Sequence, residues 1–528
     1  MKYPSPEDSM VYLVGGGIAS LAAATFLIRD AKMPGSHITI LEASESFGGS
    51  LDAAGSPEAG YVIRGGRMFE GKYVCTFDLF SSIPTLDGSR SVTEEILGWN
   101  QILTTNSKSR LFRNGRSEDG PEFGLSERQI AKLEWFGIVP ESRLGRTTIE
   151  YHFDSSFFES GFWLMWSTTF AFQPWHSAVE FKRYLLRFLH MVKGFNKLKG
   201  ILRTVYNQYD SMVRPLQKWL QEAGVHFEVH THVVDLSFLH DANGYSVESI
   251  VYQRRDASGQ IRVRKQDFVF VTLGSMTESS SIGSMESPPS LCSEKTNGSW
   301  ALWKKLARGR TYFGDPANFS DHVAQSKWLS FTTTLHDPAF FALVRDLTGN
   351  IPGEGGLITF PESNWLVSIV LPHQPHFMAQ PAGVEVFWGY GLFVDKPGNF
   401  VPKLMSACSG REIMTEVLGH LGILEGVDEM LGSCQCIPCM MPYITSQFLC
   451  RSEGDRPEVV PNRSRNLAFI GQFCELPDDV VFTVEYSVRS AQTAVYKLLG
   501  LDRLPPPVYQ GRFHPLVLAE ALASLHDA

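Results

Sequence analysis

Val11-Tyr12-Leu13-Val14-Gly15-Gly16-Gly17-Ile18-Ala19-Ser20 decides the fold of this chain. A short β-branched run enters a Gly-x-Gly turn, an alanine-rich segment follows, and His37-Ile38-Thr39-Ile40-Leu41-Glu42 ends in an acid. Strand, glycine turn, helix and second strand make the βαβ mononucleotide unit, with Glu42 placed to accept hydrogen bonds from an adenosine ribose. Gly15 allows the tight turn, and Gly17, with Ile18 and Ala19 behind it, lets the backbone approach a pyrophosphate at the helix N-terminus. Ser20 stands where the fingerprint has its third glycine, a small change at a helix–strand contact. Met10 to Ile28 is apolar enough to resemble a membrane span. Three consecutive glycines and the lack of a flanking charge pattern favour a buried strand and a buried helix instead.

The donors continue past the motif. Gly48-Gly49-Ser50 and Arg64-Gly65-Gly66-Arg67 add backbone N–H groups and guanidinium, which suits a dinucleotide longer than NAD and points to FAD. Val225 to Val234 reads as a returning strand that brings Val233 to the cofactor, and Asp267 to Ser275 as a buried strand ending in the small residues Gly274 and Ser275. Late in the chain, Asn466 to Phe473 runs as a strand into Gly471, and a helix starts within Val481 to Ala491. A helix in that place aims its dipole at the flavin ring, with Phe482, Thr483 and Ser487 as contacts.

The fold class is therefore α/β: a Rossmann-like FAD domain assembled from discontinuous segments, with a β-rich substrate domain and helical insertions. The predicted division is residues 1–100, 201–298 and 441–505 for the three pieces of the FAD domain. Residues 101–200 form a helical, aromatic substrate-lining region, 299–440 the substrate domain and 506–528 a helical tail. The lining region is dense in Phe157, Phe158, Phe162, Trp163, Trp166, Phe170, Phe172 and Trp175, which serves equally as core or as the wall of a long apolar cavity. Residues 246–253 and 261–263 read as a hairpin across Asp256-Ala257-Ser258-Gly259, and 276–298 as a linker or surface loop.

At 528 residues with 43% hydrophobic and 20% charged side chains, the chain is globular with room for two or three domains. A net charge of -9 argues against nucleic acid as a partner. The start Met1-Lys2-Tyr3-Pro4-Ser5-Pro6 has no apolar core of its own, so a cytoplasmic location and eight reduced cysteines are expected. Cys434, Cys436 and Cys439 form C-x-C-x-x-C with Cys450 as an available fourth ligand. The knuckle pairs of zinc sites are missing, and Ile437, Pro438, Met440 and Met441 favour a packed strand or turn with no metal.

Taken in order, Gly17 to Ala24, Arg64 to Arg67, Thr169 to Phe172, Trp175 to Ala178, Tyr206 to Tyr209, Gly274 to Ser280, Met441 to Phe448 and Phe469 to Arg489 resemble the oleate hydratase family, also called myosin-cross-reactive antigens. The resemblance covers most of the chain. It implies an FAD-containing hydro-lyase that adds water across the cis double bond of an unsaturated fatty acid to give a hydroxy fatty acid, without net redox change. It further implies that Tyr184 is the proton donor and that Gln208 lines the site. An isolated alkene is a poor electrophile, so a donor must be held against one carbon while water is positioned at the other.

Two departures from the family pattern stand out. Met68 replaces the water-positioning glutamate, and a thioether cannot take a proton from water at neutral pH. Arg67, Glu70 and the flavin are left to orient the water. A branch of the family carries Met at this place, which implies activity retained by an altered arrangement. The family's carboxylate segment, Thr-x-Asn-x-x-x-His, reads here Val370-Leu371-Pro372-His373-Gln374-Pro375-His376, where only His376 keeps a polar group, so Val370, Pro372 and His376, together with Met68, are the substrate-binding candidates. A short N-terminal tail predicts a monomer or homodimer, and a fatty substrate predicts transient membrane contact. The alternatives are an FAD-dependent double-bond isomerase or oxidoreductase, or a catalytically reduced acyl- or flavin-binding homologue.

Overall fold

A computed structural model describes residues 5–255, 257–292 and 298–526. Five parallel strands form the first sheet, in the order Leu467–Ile470, Phe268–Thr272, Val11–Val14, Ile38–Leu41, His226–Glu228. They come from three distant stretches of sequence, the predicted discontinuous assembly. Between the first two strands in sequence runs the helix Ile18–Arg29, ten of whose twelve residues are buried. It has no polar face because it lies between this sheet and the helix Val484–Leu498, and its alanines allow the close approach. Ser20 is buried there, its hydroxyl 3.4 Å from that of Thr272. The third fingerprint position is thus a packing position.

The second layer is an eight-stranded sheet in the order Ser281–Ile282, Cys434–Met441, Trp328–Leu335, Glu385–Gly391, Val367–Val370, Leu357–Thr359, Ser109–Arg113, Arg116–Asp119. Threonines stitch the first domain to it. The N–H of Tyr61 donates to Thr334 Oγ1 at 2.8 Å and that of Ile63 to Thr332 Oγ1 at 3.0 Å. Thr332 and Thr334 lie two apart on one strand and so face the same way. The strand Gly60–Ile63 is therefore pinned across the sheet, and Arg64-Gly65-Gly66-Arg67 emerges at the junction of the two layers.

Several boundaries differ from the sequence reading. Residues 225–234 are two strands, His226–Glu228 and Thr231–Asp241, because the chain turns at His230 in the left-handed region (φ 52°) and changes sheets. Ala257, Ser258 and Gly259 are paired strand residues of Ala257–Arg262, so the hairpin turn is tighter than the glycine suggested; Asp256 lies outside the described residues. Ser281–Ile282, within the stretch read as a loop, adds an edge strand to the larger sheet, and residues 293–297 lie outside the described residues. The hairpin Ser109–Arg113 and Arg116–Asp119 shows that the 101–200 region also contributes to the eight-stranded sheet. Cys434, Cys436 and Cys439 sit along one buried strand, and burial pushes the Cys434 and Cys439 thiols up to about 11 and about 12. Among the described residues no group of three His, Cys, Asp or Glu side chains is placed to hold a metal, and no helix is long and apolar enough to cross a membrane.

Candidate active site

The carboxyl ends of the parallel strands carry the dinucleotide signature. Gly15 has φ +95°, and the ideal Cβ of a residue at Gly49 would lie 3.1 Å from the Cα of Gly17. Two bare backbones face each other there, the cradle a pyrophosphate requires. Glu42 already fixes the turn: its Oε2 accepts from the N–H of Gly16 at 2.6 Å, and its Oε1 from the N–H and hydroxyl of Ser44. Val233 lies two residues past Thr231, whose N–H donates to the Glu42 carbonyl at 2.8 Å, so it stays beside the acid. Gly274 is required by the protein's own packing. Its φ is +60°, and a Cβ there would come within 2.8 Å of Trp300 and 2.9 Å of Phe473, so backbone and packing both demand the glycine, while the Ser275 carbonyl accepts from Trp300 Nε1.

From this edge a long cavity runs between the two layers. Its wall mixes backbone from the glycine-rich segment Gly65-Gly66 with rings such as Trp99, Trp388 and Tyr390. Of the residues singled out in the sequence, Ile18, Ser50, Gly65, Gly66, Arg67, Met68, Glu70, Tyr184, Gln208, Val370, Pro372, His376, Phe482, Thr483 and Ser487 all line it. Gly15, Gly17, Ala19, Ser20, Glu42, Gly49, Val233, Gly274 and Ser275 lie outside its wall, toward the dinucleotide edge or in the packing behind it.

The turn ahead of the late helix is strained. Phe482 has φ +68°, a left-handed conformation that side chains rarely adopt. Gln472 holds it there: its Oε1 accepts from the Phe482 N–H at 2.5 Å, and its Nε2 donates to the Thr483 carbonyl and the Ser487 hydroxyl, both at 2.8 Å. Thr483 then caps the helix Val484–Leu498. Arg67 stacks over Phe482 at 5.6 Å and donates to the Ser50 carbonyl at 3.3 Å, with its Nε buried and unpartnered. Burial pushes its guanidinium down to about 10.

Tyr184 lies on the helix Ala178–Arg187, 1% exposed, with its ring against Phe170, Phe172, Phe188 and Phe448. Its hydroxyl donates to the Val481 carbonyl at 2.5 Å. Burial holds the phenol far above its usual range, so it stays protonated at neutral pH. Of the eight aromatics named in the stretch 157–175, Phe170 lines the cavity and the other seven lie outside its wall, so the stretch is mainly core. Gln208 points its amide into the same cavity, and both Nε2 and Oε1 are buried without a partner.

Glu70 is committed elsewhere. Its Oε1 accepts from Arg187 at 2.8 Å, and its Oε2 meets His190 Nε2 at 3.2 Å and the N–H of Lys72 at 2.7 Å. Despite burial, these partners lower its carboxyl below the usual range. Arg187 continues through Asp479 to Arg489 and Glu485, a buried ionic chain that joins the Met68 segment, the Tyr184 helix and the late helix. Asp52, which the sequence reading passed over, also lines the cavity. It pairs with Arg64 at 2.5 Å through Oδ2, while Oδ1 is buried and unpartnered, and burial raises its carboxyl. Arg203 and Gln472 were missed as well. Neither carries a sequence signal, because nothing in Leu202-Arg203-Thr204 or Gly471-Gln472-Phe473 tells whether the side chain faces solvent or a cavity.

The architecture is shared with solved structures at low identity. Putrescine oxidase bound to putrescine aligns at 11% identity and a TM-score of 0.54, over 93% of this chain and 99% of that one. Cyclohexylamine oxidase from Brevibacterium oxydans IH-35A aligns at 12% and 0.52, over 94% and 100%. These likenesses concern the fold alone. Closer relatives are the oleate hydratase of Streptococcus pyogenes serotype M49 (strain NZ131), 39% identical over 99% of this chain and 90% of that protein, and the linoleate hydratase of Lactiplantibacillus plantarum, 31% identical over 93% and 94%. A sequence model of the MCRA family matches residues 8–496, and with full-length relatives at this identity the chain belongs to that family.

Proposed function

We propose that the protein is an FAD-dependent hydratase that adds water across a cis double bond of an unsaturated fatty acid, with no net redox change. The observation that carries this reading is the protonated Tyr184 phenol in the wall of an apolar cavity, backed by two full-length relatives named for the hydration of oleate and linoleate. The relatives alone would fit a degenerate homologue; a retained, correctly buried proton donor favours an enzyme.

The residues fit FAD. Gly15, Gly17 and Gly49 leave backbone open for a pyrophosphate, Glu42 is at the ribose position, and Phe482, Thr483 and Ser487 present a capped helix to the cavity. When bound, the flavin supplies a rigid polar face that shapes the site and polarises what lies against it. In this reading the aromatic wall excludes bulk water and holds the acyl chain, and Tyr184 gives its proton to one alkene carbon. Water adds to the other carbon and loses a proton. Met68 cannot receive that proton. Glu70 has both oxygens engaged, so among the acids in the wall Asp52, with its free Oδ1, is the better supported acceptor. Transient contact with a membrane or micelle delivers the substrate, and one protomer contains the whole cavity.

Met68 gives one alternative specific support: a site without its expected water-activating acid suits double-bond isomerisation. Product mass separates the two. FAD-loaded protein incubated with oleate or linoleate in isotopically labelled water should yield a product heavier by one labelled water. An unchanged mass with a moved double bond would favour isomerisation, and no product across a panel of cis-unsaturated acids would refute both.

A further inference from the structure

The cavity wall holds a cation that no carboxylate among the described residues neutralises. Arg203 follows the short strand Ile201–Leu202, which pairs with Phe69–Glu70 in the register Phe69 to Leu202 and Glu70 to Ile201. One step further in the same register sets Arg203 opposite Met68. Asn100 clamps its backbone from both sides, accepting from the N–H at 2.9 Å and donating to the carbonyl at 2.8 Å. The position is thus fixed without any help from the side chain.

The guanidinium lines the cavity, and its Nε and Nη2 are out of contact with solvent and without a hydrogen-bond partner. No carboxylate among the described residues pairs with it; Glu70 is held by Arg187 and His190. Room has been left for it. Gly356 bends with φ +69°, and a Cβ there would come within 2.7 Å of Nη2. A second cation, Arg110, is fully buried within range of its charge and donates only to neutral groups, the carbonyls of Phe195 and Met165 and the hydroxyl of Thr169. Desolvating a guanidinium without an anion is costly, and two together cost more. Burial alone depresses Arg203 to about 10, which leaves it charged at neutral pH.

The neighbouring groups suit an anion but do not supply the charge. Gln208 offers an unpartnered buried amide, and burial and the charge of Arg203 push His376 down to about 4, so the imidazole is neutral. Val370 and Pro372 have no side-chain donor. A guanidinium is the group whose fork matches a carboxylate.

We propose that Arg203 binds the carboxylate of the acyl substrate and makes the cavity select free fatty acids over their esters and alcohols. This rests on the reading that the cavity takes an acyl chain.

Calorimetric titration of the FAD-loaded protein with oleate and with oleyl alcohol tests it. Wild type should bind oleate more tightly than the alcohol. Arg203→Met should weaken oleate by about 10- to 100-fold, the range for a lost charge-assisted hydrogen bond, and leave the alcohol within about twofold. Arg203→Lys should recover part of the loss. The ligand-free Arg203→Met protein should melt no lower than wild type, since an unpaired buried charge has been removed. Unchanged oleate affinity in Arg203→Met, or equal losses for acid and alcohol, would overturn the assignment. Wild type that binds oleate through Arg203 yet forms no hydroxy acid would leave this site standing and overturn the hydratase reading instead.

Discussion

Replacing Tyr184 by Phe removes a single oxygen, and the structure sets what that should cost. The ring keeps its contacts with Phe170, Phe172, Phe188 and Phe448, so no cavity larger than a hydroxyl opens. What is lost is the 2.5 Å hydrogen bond to Val481, which leaves a buried carbonyl without that donor. Such a loss costs roughly 1–3 kcal/mol. Spread over the unfolding entropy of a chain this long, it lowers the melting temperature by no more than about 3 °C. Turnover should respond very differently. A positioned proton donor contributes on the order of 10²–10⁴-fold, so hydration of oleate should fall by at least a hundredfold while FAD content stays at the wild-type level. The assay is product formation by mass spectrometry beside thermal melting and flavin absorbance on the same preparation. Retained turnover would refute the role of the phenol. A collapse of melting temperature together with flavin loss would show that the hydroxyl serves the fold instead, through Val481 and the strained Phe482 turn beside it.

Gly49→Ala should yield protein purified with little or no flavin, because φ +59° and a Cβ 3.1 Å from Gly17 strain the loop and narrow the cradle; flavin absorbance per protein measures this. Arg187→Met should destabilise the fold by about 3–5 kcal/mol in denaturant unfolding, since it removes the buried cation between two carboxylates and leaves Glu70 only His190 and the Lys72 N–H, and Asp479 only Arg489. A small effect would mean the chain of charges is solvated. The acid limb of stability should depend on His176, which is fully buried, accepts the Gln173 N–H at Nδ1, and is pushed by burial down to about 3. Its folded value lies below the ordinary one, so its contribution is complete above about pH 6.5 and is lost as pH falls toward 3, at up to about 1.4 kcal/mol per pH unit. His176→Phe should flatten that limb in a melting-temperature profile, and an unchanged profile would contradict the assignment.

Local chemistry made much of this protein legible in its sequence. A run of β-branched residues into Gly15-Gly16-Gly17, closed by Glu42, has one common physical solution, and it appears as read. The late strand and helix were equally clear, because their apolar periods are short-range properties. Boundaries failed where a single backbone conformation decided them, as at His230, or where pairing overrode propensity, as at Ser258-Gly259. At Gly274 the glycine was recognised, and the structure adds a reason the sequence did not show: φ +60° and the rings of Trp300 and Phe473 packed over it.

The sequence by itself determined the strand–glycine–helix–strand unit at the start and the strand and helix late in the chain, since each depends on residues adjacent in the chain. Only the tertiary structure decided which polar groups are free. Glu70 is consumed by Arg187, 117 residues away, while Asp52, Gln208 and Arg203 keep atoms without partners inside the cavity. Whether a charge is spent or available depends on what distant segments bring to it, and composition and spacing carry no record of that.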